Sequence, residues 1–138
     1  MQLDYRQICS AACGASYIEE NDKIIFHRFT KDQERIYLDM RPQLTQIDST
    51  AGIVLSFNTD SNFLELNVSV EEATLRKFFS FDVFANGKLI GYMNNLGSKK
   101  KTDYLKGDYS LGDFKKRFEL DSGEKNRNIF SLVCKIYD

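Results

Sequence analysis

Moving a proton near neutral pH is most often the work of histidine, and this chain holds one, His27. A serine nucleophile needs such a base, itself oriented by a carboxylate. His27 falls inside the apolar run Ile24-Ile25-Phe26-His27-Arg28-Phe29. There it is expected to be structural, at a sheet edge or an interface. Gly107-Asp108-Tyr109-Ser110 approaches a Gly-Asp-Ser nucleophile block, but Tyr109 intervenes and no strand precedes it. Neither a Gly-x-Ser-x-Gly elbow, a phosphate-binding glycine loop nor a dinucleotide fingerprint occurs. With no nucleophile–base pair, the chain is not expected to be an enzyme.

Other reactive side chains have simpler explanations. Asp60, Glu65, Glu71, Glu72 and Asp82 could form an acid–base pair for glycosidic cleavage, yet each suits a turn or an outward strand position. Asp82 stands out, because it interrupts an apolar run and is expected opposite Gly91, with room there for a ligand or a partner loop. Cys9 and Cys13 are spaced for one helix face, and Cys134 reads as a small core residue. A zinc site needs about four ligands, and with one histidine in the chain the metal reading is poor. The Asp60 and Asp108 loops carry no regular calcium-ligand series. No cofactor or metal is expected. For carbohydrate, the candidate surface is Tyr92, Tyr104 and Tyr109 with the loop amides of Asn94 and Asn95. Lys99-Lys100-Lys101 reads as a solvated loop.

The element that must position Asp82 and Tyr92 is a hairpin. Phe78–Phe84 and Lys88–Met93 flank Asn86-Gly87, the pair that best tolerates the two positive φ angles of a type I′ turn. With that turn, Phe84 faces Leu89, Val83 faces Ile90 and Phe81 faces Tyr92. Both faces carry apolar groups, so the hairpin is expected centrally in a β-sandwich. Period-two runs at 53–58, 64–71, 114–120 and 130–136 predict further strands. Ile24–Phe29 predicts another strand, and a weak one is expected near Tyr104. A short helix is expected over 3–12, ending toward Gly14. Thr30-Lys31-Asp32-Gln33 has capping-box spacing, so a helical turn is expected after Thr30. Arg35-Ile36-Tyr37-Leu38 fits either the end of that turn or a strand, and Pro42 marks a break. These elements make one domain over 1–138: an all-β, jelly-roll-like antiparallel sandwich with residues 1–13 as a helical lead-in.

Composition bounds the rest. The chain has 138 residues, 42% hydrophobic and 13% aromatic with eleven Phe, enough for a dense core. Nineteen basic and twenty acidic residues leave a net charge of -1, which argues against a nucleic-acid partner. An odd cysteine count and no secretion signal predict reduced thiols in the cytoplasm. No apolar run approaches the length that spans a bilayer, so no membrane partner is expected.

Three stretches together resemble a known family. They are His27–Gln33, Thr50–Ser61 (Thr-Ala-Gly-Ile-Val-Leu-Ser-Phe-Asn-Thr-Asp-Ser) and Phe81–Lys88 (Phe-Asp-Val-Phe-Ala-Asn-Gly-Lys). Their order and spacing are similar to the N-terminal β-sandwich domain of bacterial SGNH/GDSL-type hydrolases, carbohydrate esterases among them, from about Gly14 onward. The resemblance implies a non-catalytic accessory domain of an esterase or deacetylase acting on acylated carbohydrate. It implies that the partner is a catalytic SGNH domain of the same parent chain, expected downstream of Asp138 and bearing the nucleophile and a late Asp-x-x-His pair. No catalytic residue carries over to this sequence. The alternative reading is an independent carbohydrate-binding module using exposed tyrosines.

Overall fold

Asp4 opens the first helix. Its carboxylate accepts the Gln7 N–H at 2.8 Å, and the Gln7 side chain accepts the Asp4 N–H at 2.9 Å, a reciprocal capping box. Helix α1 then runs Tyr5–Ala11. Gly14 does not end it as expected. The chain turns extended at Ala12, which pairs with Leu55 in the short strand β1 (Ala12–Cys13). Gly14 serves the turn beyond, where its φ is 87° and a β-carbon would stand 2.8 Å from the Gly52 carbonyl oxygen.

The computed structural model describes residues 2–41, 47, 49–71, 79–96, 111–120 and 127–134, the last stretch through its backbone. Within them the protein is mostly β-strands in small antiparallel sheets, with two short helices. Strands β2 (Tyr17–Glu20) and β3 (Ile24–His27) form a hairpin that places Tyr17 opposite His27. Only the second of these strands was expected. The Thr30 box is present, its hydroxyl accepting the Gln33 N–H, and it starts a full helix, α2 (Lys31–Met40). The ambiguity at Arg35–Leu38 is resolved as helix. None of α2's residues is fully buried.

The remaining strands are β4 (Val54–Thr59), β5 (Phe63–Val70), β6 (Ser80–Ala85), β7 (Lys88–Asn94), β8 (Gly112–Glu119) and β9 (Arg127–Cys134). They make a five-stranded sheet ordered β1-β4-β9-β6-β7 and a separate β5–β8 pair. The β6–β7 hairpin therefore lies at one end of its sheet, β7 outermost, and not at the centre. Phe79, Val83 and Met93 meet Phe118 of β8 in one buried cluster, with Leu64, Leu66, Val68, Val70 and Phe114 packed around it. Val83, only 1% exposed, is its centre. Fully burying a side chain of this kind stabilises by about 1.5–3 kcal/mol. The Cys134 backbone stands opposite Phe81; its side chain lies outside the described residues, as do Lys99–Lys101, Tyr104 and the Gly107–Ser110 stretch.

The β6–β7 hairpin closes as expected and then departs. Asn86 (φ 48°) and Gly87 (φ 77°) take the two positive angles, and Phe84 faces Leu89. The register then slips between Phe84 and Val83, so Val83 faces Gly91, Asp82 faces Tyr92 and Phe81 faces Met93. Ile90 is the additional residue of a β-bulge. Packing explains the slip. A β-carbon at Gly91 would lie 2.9 Å from the Phe118 ring. The bulge thus presents to Phe118 a residue without a side chain, and brings Met93 into the core beside it. Tyr92, expected on the face of Phe81 and Val83, is turned outward and is 56% exposed.

Candidate functional site

His27 sits where three elements meet. Its ring stacks on Tyr17 across the β2–β3 register, with centroids 4.0 Å apart and planes 7° from parallel. Glu34 reaches down from α2, its Oε1 3.0 Å from His27 Nδ1 and its Oε2 accepting the Tyr17 hydroxyl. A carboxylate only accepts, so Nδ1 carries the proton of that bond. On the other side, Glu19 Oε2 stands 3.7 Å from Nε2. Lys31 Nζ pairs with Glu19 at 3.3 Å and lies 5.2 Å from the centre of the Tyr17 ring.

A histidine oriented by a carboxylate is the base half of a nucleophilic triad. Here the geometry points elsewhere. Nε2, the nitrogen that would take a nucleophile's proton, is buried, makes no hydrogen bond among the described residues and faces a carboxylate. The cluster fastens α2 to the hairpin. Tyr17, Glu19 and Glu34 were not singled out from sequence. The only signal was the Thr30 capping box, which places Glu34 on the first turn of α2. Without β2, nothing in the sequence brought Tyr17 and Glu19 to His27.

The second candidate is the outer face of the β6–β7 hairpin. Asp82 does not face Gly91, and there is no room at Gly91, because Phe118 fills it. Asp82 instead stands opposite Tyr92, and the next pair along is Ser80 with Asn94. Alternation puts Asp82, Tyr92 and Asn94 on one face. Lys116 crosses the edge of β7, donating to the Tyr92 carbonyl at 2.6 Å with its Nζ 5.3 Å from the ring centre. The Asn94 side-chain oxygen holds the Leu96 N–H at 3.1 Å, and that of Asn95 holds Phe79 N–H at 2.9 Å. So three of the five expected site residues, Asp82, Tyr92 and Asn94, are brought together. Tyr104 and Tyr109 lie outside the described residues.

The cysteines offer no comparable site. The Tyr5 hydroxyl donates to the Ile18 carbonyl at 2.8 Å, and a hydrogen bond with Cys9 raises its pKa above the ordinary 10.0. Cys13 is exposed on β1. Among the described residues no three His, Cys, Asp or Glu side chains converge as metal ligands. No helix among them is long and apolar enough to cross a membrane. In comparisons with known proteins, no family model, no curated protein and no solved structure matches the chain.

Proposed function

We propose that this chain is a non-catalytic accessory domain of an SGNH/GDSL-type esterase or deacetylase acting on acylated carbohydrate, docked on the catalytic domain of the parent protein. The observation that carries the docking role is α2. Ile36 and Met40, one turn apart on the same face of α2, are exposed, Met40 at 75%, and Leu38 is exposed on the other side of a helix with no fully buried residue. Single exposed apolar residues are ordinary, but a group on one element is the composition of a contact surface. The enclosed Nε2 of the chain's one histidine supports the non-catalytic role. We infer a jelly-roll-like sandwich for the finer topology, supported by Phe118 of β8 packing onto Phe79, Val83 and Met93. The identity of the partner rests on the three sequence stretches that resemble the family. A p-nitrophenyl acetate assay on the 138-residue chain should show no turnover above the blank. Turnover abolished by one serine substitution would overturn the proposal.

The alignment of Asp82, Tyr92 and Asn94 favours a second reading, an independent carbohydrate-binding module. An exposed ring flanked by a carboxylate and an amide can stack on a sugar and bond its hydroxyls. It predicts saturable binding of an oligosaccharide that weakens in Tyr92→Ala.

A further inference from the structure

Helix α1 lies against β4, and between them is an open cleft of about 370 Å³. This is within the roughly 300–1,000 Å³ of small-molecule sites. Helical spacing sends Arg6 and Ser10 of one α1 face into it, the preceding Leu3 lines it too, and β4 contributes Ser56, Phe57 and Asn58. Among the described residues the side chains of Arg6, Ser10, Ser56 and Asn58 form no hydrogen bond or ion pair. Polar groups gathered at a concave surface without partners of their own are what a polar ligand requires.

The lining also narrows the ligand. The Arg6 guanidinium is a planar fork matched to a carboxylate or phosphate. Among the described residues it is the one cation lining the cleft, so a single negative charge is matched better than a phosphate dianion. Two hydroxyls and an amide suit several ligand hydroxyls. Leu3 offers apolar surface to a C–H face. We propose that the α1–β4 cleft binds a sugar acid, one carboxylate on a hydroxylated ring. This site is separate from the α2 surface and from Tyr92.

The test is a titration of the full chain with glucuronate and galacturonate, alongside glucose and glucose 6-phosphate, followed by amide chemical shifts and calorimetry. One or both uronates should bind saturably, shifting α1 and β4 amides, with glucose and glucose 6-phosphate at least tenfold weaker. Arg6→Ala should weaken uronate binding about tenfold or more, the expected effect of losing a charge-assisted hydrogen bond. Ser56→Leu should block the cleft while keeping the charge. Arg6 is exposed, so its variant should keep the parent's melting temperature. Flat uronate titrations of the folded chain would overturn the proposal. So would binding unchanged by both substitutions, tighter binding of glucose 6-phosphate, or binding lost in Tyr92→Ala but kept in Arg6→Ala.

Discussion

Two regions of this protein are held by different forces. The β6–β7 hairpin and β8 are joined through apolar burial, with Val83 at 1% exposure and Phe79, Met93 and Phe118 around it. The β2–β3 hairpin and α2 are joined largely through polar side chains: Glu34 bonded to both His27 and Tyr17, and Glu19 bonded to Lys31. The apolar addition there is Tyr37 against Phe29, with ring centroids 6.4 Å apart. Apolar burial is non-directional and scales with area, whereas a hydrogen-bonded cluster fails when one partner is lost. The first region should therefore set global stability, and the second should open locally.

The largest expected effect is at Phe118. Phe118→Ala should cost about 3–5 kcal/mol in urea denaturation, since it empties the contact between β8 and the hairpin. If it costs no more than an exposed substitution such as Ile36→Ala, the cluster is not the core. Gly91→Ala should cost about 1–3 kcal/mol, because the new methyl meets the Phe118 ring. Combining it with Phe118→Leu should cost less than the sum of the two, as expected for residues in contact. Additive costs would show that the bulge does not exist to make room for the ring. In the polar region, Glu34→Ala leaves the His27 Nδ1–H and the Tyr17 hydroxyl without their acceptor, at about 1–3 kcal/mol. Hydrogen exchange should show α2 amides losing protection while β6 and β7 keep theirs. Equal loss in both regions would refute the division.

The same contrast explains what could be read in the sequence. Period-two alternation over 64–70 and 114–120 reports burial of one face, so β5 and β8 were legible. Asn86-Gly87 and the Thr30 box were legible because turn and cap chemistry is local. Tyr17–Glu20 alternates weakly and ends in two glutamates, so β2 was missed, and the His27 cluster with it. The slip at Ile90 was also hidden. It is dictated by Phe118, which follows Gly91 by 27 positions and reaches it only through tertiary packing. Asp82 was expected opposite Gly91 and Tyr92 opposite Phe81, and the slip sets the two opposite each other instead. The α1–β4 cleft had no sequence signal, because Arg6 and Ser56 belong to elements that meet only in the fold.

The smallest effect belongs to the solvent face of the β5–β8 pair, which separates the two regimes most finely. Lys115 bonds the Glu65 carboxylate at 2.8 Å and holds its pKa below the ordinary 4.5. A carboxyl with a lowered folded-state pKa binds its proton more readily in the unfolded chain. Its stabilisation is therefore present above pH 4.5 and is lost as pH falls from there through the folded-state value. The pair is exposed and screened by salt, so the change should be slight and smaller still in high salt. Melting temperatures of the parent and Glu65→Gln should differ slightly at pH 6 and converge toward pH 3. A parent that melts below Glu65→Gln at pH 6 would mean that the carboxylate repels its surroundings, and that this face is held by the strand ladder without help from its charges.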